Sequence, residues 1–335
     1  AKKEAENFNV DSTLYEYYQR CQECLLEPVV LNMSDTLFRM AGERQDERMQ
    51  AVAIATQLDY YYFQGTNEDS VIHYTNKVKE FAKATHQPKY YYFAWANRLI
   101  TYYLKTSRTN IALYEVQNML KEAQEEDDKT GLSRCYNIMS QIYTIKRFDS
   151  MAFEWRLKEI ELTEKYKIEN YNISQTYAQI ANYYINQKKQ KEALAAVEKA
   201  IATANSSTQQ ISAKLEFVNY YSKFGDFQAA EKLLKECQAA FEQDKRLESI
   251  KKRLYNIECL YYQQTKQYQK ALEAAKMQEK EERRLSESIL SSIHYRTQGE
   301  IYQKMRNMNL AVKYLQMYIN TDDSLKIANE QVSSS

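Results

Sequence analysis

Three histidines, His73, His86 and His294, and five cysteines, Cys21, Cys24, Cys135, Cys237 and Cys259, are the side chains of this 335-residue chain best suited to metal or nucleophilic chemistry. Their spacing argues against both. No two histidines stand four apart, the separation that puts two imidazoles on one helical face as metal ligands. Cys21 and Cys24 share a helix face, yet no second Cys or His pair follows at zinc-site spacing. The other three cysteines fall in helical stretches, where a thiol acts as a small buried hydrophobe. No phosphate-cradling glycine loop, dinucleotide fingerprint or Gly-x-Ser-x-Gly elbow is present. The expectation is a chain without metal, cofactor or catalytic activity.

What must position any functional side chain here is a repeat. Six of seven windows carry a tyrosine nine residues before a small residue: Tyr62/Val71, Tyr103/Ala112, Tyr184/Ala193, Tyr221/Ala230, Tyr262/Ala271 and Tyr302/Ala311, with Ile142/Met151 in the seventh. The second members, at 71, 112, 151, 193, 230, 271 and 311, are separated by 41, 39, 42, 37, 41 and 40 residues. Such a period fits a unit of two amphipathic helices, neither able to bury its apolar face alone, stacked so that neighbours complete the core. Composition agrees, since 5 Gly and 2 Pro leave few turn signals for strands. An all-α chain is expected, with A helices near 45–63, 89–104, 130–145, 171–186, 208–223, 246–264 and 287–303, each followed by a B helix. No Pro, Gly or Ser-rich linker interrupts the repeats over 43–322, so they read as one continuous array behind an atypical helical cap over 1–42. After Asn320, Thr-Asp-Asp-Ser-Leu reads as a fresh cap that starts a C-terminal helix over 323–335.

Within a window, the residue twelve before the small one is itself small in Ala181 and Gly299, and the residue three before it is aromatic in Phe148, Phe227 and Tyr268. The clearest cases are Tyr177-Ala-Gln-Ile-Ala-Asn-Tyr-Tyr184 with Glu192-Ala-Leu-Ala-Ala-Val, and Tyr295-Arg-Thr-Gln-Gly-Glu-Ile-Tyr302 with Leu310-Ala-Val-Lys-Tyr-Leu. This pattern resembles the tetratricopeptide repeat. The resemblance covers 43–322 and implies an α-α superhelix, a right-handed solenoid of seven to eight helical hairpins. The period is longer than the family's, its terminating proline is missing, and Asp59, Ile100, Met139, Val218 and Cys259 occupy the small position in five windows. These longer, degenerate repeats resemble those of membrane-anchored bacterial signalling proteins. There a Tyr-x-x-Asp-Ser-Leu-like end, loosely matched by Tyr318 and Asp323-Ser324-Leu325, leads toward a membrane span and a kinase or DNA-binding output.

In the family the A helices line a concave groove, at positions eighteen, fifteen, eleven and eight before the small residue. Carried onto this chain, the resemblance implies a peptide-binding set of Asn97, Tyr136, Ser140, Gln175, Asn182, Asn219, Arg253, Asn256 and Arg296. Asn is disfavoured inside helices, so its recurrence asks for a reason. One is that a carboxamide, both donor and acceptor, grips a peptide backbone; the other is that these Asn tie adjacent helices together. The family's carboxylate clamp also uses Asn where Asn182 and Asn219 stand, but its lysines have no counterparts here. The aromatic runs Tyr60–Phe63 and Tyr90–Phe93 span all faces of a helix, so some rings are expected in the core and others toward the groove or solvent; core packing is the first reading and an aromatic docking patch the alternative.

Charge narrows the partners. With 46 Lys+Arg against 45 Asp+Glu there is no basic footprint for nucleic acid. The run Glu279–Arg284 reads as a solvated helix face. No apolar run reaches the length of a bilayer span, so any membrane anchoring is expected through flanking segments only. The chain begins at Ala1 without an initiator Met, as a mature or excised segment would. The leading expectation is the sensory, periplasmic region of a bacterial signal-transduction protein. It would bind a peptide or protein segment in the groove, with room for a homodimer through the C-terminal helix. A free-standing cytoplasmic scaffold and a cytoplasmic peptide-responsive regulator are the alternatives.

Overall fold

The nine-residue step from tyrosine to small residue is set by one turn, repeated. In the last five hairpins the carbonyl of Tyr143, Tyr184, Tyr221, Tyr262 or Tyr302 accepts a hydrogen bond from the N–H five residues on, that of Phe148, Lys189, Asp226, Gln267 or Asn307, at 2.7–3.0 Å. The residue between, Arg147, Lys188, Gly225, Lys266 or Arg306, takes a positive φ of 58–86°. This is a Schellman ending: the left-handed residue reverses the chain and satisfies the last carbonyls of the A helix. The acceptor of the next bond is the residue that has just donated. Ala152, Ala193, Ala230, Ala271 and Ala311 each donate N–H to it at 2.9–3.0 Å and so begin the ladder of the B helix. Tyrosine and alanine are thus fixed on either side of one turn.

The third window is therefore Tyr143/Ala152 rather than Ile142/Met151. Ala152 is fully buried and Met151 is 41% exposed. With that correction every window obeys the Tyr-to-small rule, and 112, 152 and 193 are separated by 40 and 41 residues.

The computed structural model describes residues 2–285 and 292–334. Helices α1 (Lys2–Asn7), α2 (Ser12–Glu23) and α3 (Val29–Glu43) come first. Asp11 caps α2 by accepting from the N–H groups of Thr13 and Leu14 at 3.0 and 3.1 Å. Then α4 (Glu47–Gln64) pairs with α5 (Glu68–Ala84). The next A helix is a continuous run of α6 (Pro88–Tyr92), a π-helix over Phe93–Ile100 and α7 (Thr101–Lys105), followed by α8 (Thr109–Glu125). The remaining hairpins are α9 (Lys129–Ile145) with α10 (Asp149–Tyr166), α11 (Ile173–Asn186) with α12 (Gln190–Ala202), α13 (Ser207–Lys223) with α14 (Phe227–Gln243), α15 (Lys251–Gln264) with α16 (Tyr268–Leu285), and α17 (Ile293–Lys304) with α18 (Met308–Ser334). The described residues are all-α and contain no strand.

Contacts divide the chain into two compact units. One comprises 1–105, 111–171 and 244–249, the other 106–110, 172–243 and 250–335. In the first, Ile54, Leu58, Tyr62, Tyr92, Ile100, Ala112, Met119 and Ile138 share one core, and Leu14, Cys21, Val30, Leu37 and Met49 form another around the N-terminal helices. In the second, Cys259, Ala271, Leu272, Ile301, Tyr302 and Ala311 pack together. Close approach is visible at Gly299, where an added Cβ would stand 2.9 Å from Leu315 Cγ and 3.2 Å from its backbone nitrogen. The aromatic runs serve mainly the core. Tyr62 and Tyr92 are buried, Tyr61 stacks on Tyr74 with centroids 5.1 Å apart, and the Tyr91 hydroxyl donates to Glu122 at 2.7 Å.

Two expected boundaries move, and a third falls outside the described residues. Residues 245–250 form a 3-10 turn instead of starting an A helix, because the Asp244 carboxylate accepts from both the backbone N–H and the guanidinium of Arg246 at 2.8–3.0 Å, offering the backbone an alternative to helix. No new cap forms at Asn320; α18 runs unbroken from Met308 to Ser334. The expected start of the last A helix, 287–291, lies outside the described residues.

Candidate functional site

Groove positions are counted back from the small residue, so the third window must be recounted from Ala152. The recount replaces Tyr136 and Ser140 by Arg134, Asn137, Gln141 and Thr144. All four lie in one polar seam of the first unit. Asn137 Nδ2 donates to Glu159 Oε1 at 3.1 Å and Gln141 Nε2 to Asn137 Oδ1 at 2.8 Å. Arg156 donates to Thr144 Oγ1 at 2.9 Å, and Arg134 donates to Asn170 Oδ1 at 3.2 Å. Arg134, Asn137 and Glu159 are buried, so the seam ties α9 to α10 and to the segment after α10. Burial pulls the Arg134 guanidinium below its ordinary range, with the Glu159 carboxylate opposing.

Ser140, expected in the groove, instead fills the small position twelve before Ala152. It is 0% exposed and donates to the Asn137 carbonyl at 2.5 Å, out of reach of a ligand. Tyr136 packs against Trp155 with ring centroids 5.6 Å apart.

Asn97 sits inside the π-helix. There Thr101 Oγ1 donates to the Ala96 carbonyl five residues back at 2.9 Å, and Arg98 Nε pairs with Asp59 Oδ1 on α4 at 2.5 Å. The Asn97 carboxamide is 9% exposed and its Oδ1 has no hydrogen-bond partner. A π turn carrying an unsatisfied buried acceptor is a local cost of the kind found at functional positions.

The second unit brings the expected residues together around one the periodicity did not mark. Glu216 on α13 is 0% exposed. Its Oε1 accepts from Asn182 Nδ2 of α11 at 3.3 Å and from Asn219 Nδ2 of its own helix at 3.1 Å, and its Oε2 is paired with the Arg253 guanidinium of α15. Three successive A helices therefore meet at one carboxylate. Asn182 also accepts from Asn186 at 3.2 Å. Arg253 keeps 27% of its side chain exposed, Asn182 and Asn256 are half-buried, and Gln175 is exposed. Arg296 stands apart, paired with Glu300 at 3.0 Å on its own helix and lying 5.9 Å over the Tyr318 ring. Sequence did contain a sign of Glu216: an acid flanked by Leu215, Phe217 and Val218 is out of place on a solvated face.

A carboxylate buried among donors holds two carboxamides and a guanidinium in fixed rotamers, leaving spare donors on Arg253 and both functions on Asn256. His294 is buried and occupied by the Glu282 carboxylate. Among the described residues no group of three His, Cys, Asp or Glu is placed to hold a metal ion.

No family model matches the chain, and no curated protein matches it in sequence. Among solved structures it is similar to a Rap protein complexed with Competence and Sporulation Factor. The TM-score is 0.57 at 13% identity, over 90% of this chain and 88% of that one. At that identity the likeness shows the fold, a tetratricopeptide-like array of helical hairpins.

Proposed function

We propose that this chain is a binding module for a peptide or flexible protein segment, acting as the sensory region of a bacterial signal-transduction protein and not as an enzyme. The observation that carries the reading is the Glu216 centre, which locks Asn182, Asn219 and Arg253 from three A helices in place, beside the freer Gln175 and Asn256. Groups held in the bound geometry beforehand reduce the ordering cost of association. The likeness to a Rap protein solved in complex with Competence and Sporulation Factor supports it from the side of the fold. Selection of a binding sequence from a random peptide library, followed by titration against Gln175→Ala/Asn256→Ala, tests it; selected peptides that bind the variant as tightly as the parent would discard it.

We place the module in the periplasm, with the signal passed to a kinase or DNA-binding segment. No described helix is long and apolar enough to cross a membrane; in this reading any anchoring is the work of flanking segments. The cytoplasmic peptide-responsive regulator is the second reading: the likeness to a Rap protein complexed with Competence and Sporulation Factor supports a response to peptide, and five unpaired cysteines suit a reducing compartment. Fractionation of cells producing the tagged protein from its native start decides between them. The homodimer through the C-terminal helix is supported by Met308, Val312 and Ile319 on α18, which are 54%, 66% and 51% exposed.

A further inference from the structure

A cavity of about 350 Å³ lies in the second unit between α12 and α13, on a different side of α13 from the Glu216 contacts with α11 and α15. Its wall is aromatic. Phe217 stacks on Tyr221 with centroids 4.5 Å apart at 17°, meets Tyr220 edge-on at 5.8 Å, and Tyr220 in turn meets Phe224 at 5.1 Å. Gln190 Nε2 donates to the Tyr220 hydroxyl at 3.3 Å and holds that ring in place. Glu198 from α12 and Asp226 at the start of α14 line the same cavity, both exposed, and no Lys or Arg does.

The repeat gives an internal control for what a structural residue looks like at these places. Thirteen before the small residue the other windows carry Leu58, Leu99, Met139, Ile180, Glu258 and Gln298; six before it they carry Gly65, Thr106, Lys146, Gln187, Thr265 and Met305. Phe217 and Phe224 are aromatic in this window alone. Hairpin packing does not require them, since six windows fold without them.

Elsewhere the chain covers its ring faces with its own cations: Arg98 lies over Tyr62, Phe63 and Phe93, and Lys79 stands 3.7 Å from the Trp95 centroid. Among the described residues no Lys or Arg lies over Phe217, Tyr220, Tyr221 or Phe224. Burial and then Asp226, Tyr220 and Glu198 raise the Tyr221 hydroxyl above its ordinary range.

We propose that this aromatic, acid-rimmed cavity is a binding site for the basic side chain of a partner protein segment, a lysine or arginine whose stem lies on the rings and whose charge faces Glu198 and Asp226. Ring faces attract cations electrostatically, a carboxylate adds to this, and the apolar stem of Lys or Arg suits the Phe217–Tyr221 stack. The site stands on its own geometry and does not require the Glu216 face to be a binding surface.

Saturation-transfer NMR with three capped tripeptides, acetyl-Gly-X-Gly-amide with X as lysine, arginine or norleucine, tests the site. The lysine and arginine peptides are expected to bind at least fivefold more tightly than norleucine, which keeps the stem and lacks the charge. Phe217→Leu and Phe224→Thr, residues that other windows carry at those positions, and separately Glu198→Gln, are each expected to weaken the basic peptides at least threefold while the far-UV melt stays unchanged. Equal binding of norleucine, or full affinity in both Phe217→Leu and Phe224→Thr, overturns the site. Should one variant fail to fold, the other and Glu198→Gln on the surface still give the answer.

Discussion

Asn219 Nδ2 and Asn182 Nδ2 donate to the same oxygen of Glu216, at 3.1 and 3.3 Å, although one stands on α13 and the other on α11. Asparagines first expected to face a ligand thus also join helices. Replacing both by Ala gains helix propensity but takes two donors from a carboxylate with no exposure to water. A net loss of about 2–4 kcal/mol is expected, since a hydrogen bond to a charged group contributes roughly 1.5–3 kcal/mol and each Ala returns no more than about 0.7 kcal/mol of helix propensity. The neutral or slightly positive stability that helix propensity alone predicts is thereby reversed. Urea unfolding of the double variant measures it, and an unchanged midpoint would mean the contacts contribute nothing.

The corrected register makes neighbouring residues behave in opposite ways. Ala152 is fully buried at the start of α10 while Met151 beside it is 41% exposed. Ala152→Leu forces a side chain into a filled contact and should cost about 1–3 kcal/mol, whereas Met151→Leu should stay within about 0.5 kcal/mol of the parent. Thermal melts of the two single variants suffice. Equal effects would return the window to its first register.

The A-to-B turns store strain that can be removed. Lys188 and Lys266 hold φ of 58° and 60°, where Gly225 occupies the equivalent place in the hairpin between them. A non-glycine residue there costs roughly 1–2 kcal/mol, partly offset by the extra freedom glycine gives the unfolded chain. Lys188→Gly should therefore stabilise by about 0.5–1 kcal/mol. A fall in the unfolding midpoint would contradict the Schellman geometry.

Burial pushes the thiols of Cys21, Cys135 and Cys237 up to about 12 and that of Cys259 to about 11. An unfolded cysteine releases its proton near 8.5. The folded state therefore keeps protons the unfolded chain gives up. Stability from these groups is full below about pH 8.5 and is lost as pH rises toward 11–12, by about 1.4 kcal/mol per pH unit for each thiol. Unfolding free energies at pH 8, 9 and 10 should fall progressively, and less steeply in Cys237→Ala. A flat profile over that interval would be inconsistent with four buried thiols.

Much of the fold was legible because one local device, the turn between tyrosine and alanine, recurs at fixed spacing and forces helices on either side. Where other local forces act, the pattern misled. The Asp244–Arg246 contact turned an expected helix start into a 3-10 turn, and the π-helix over Phe93–Ile100 leaves no mark in a period set by turns. The candidate site was legible in half. Asn182, Asn219 and Arg253 were marked by position, but Glu216, which gathers them, lies off the counted positions, and only its apolar neighbours Leu215, Phe217 and Val218 point to it. Ser140 was misplaced because a single-residue shift in register turns a helical position by about 100°, from groove to core.

The central claim, that the A helices of the second unit hold a peptide, is tested most directly where binding and stability separate. Gln175 and Asn256 lie on the same helices as Asn182 and Arg253, are exposed or half-buried, and among the described residues hold no other side chain in place. With a library-selected peptide, isothermal titration of Gln175→Ala/Asn256→Ala should show at least tenfold weaker binding, about 1.4 kcal/mol or more, with the melting temperature of the free protein unchanged. Undiminished affinity in that variant, alongside an intact melt, would show that the peptide binds elsewhere and would contradict the assignment.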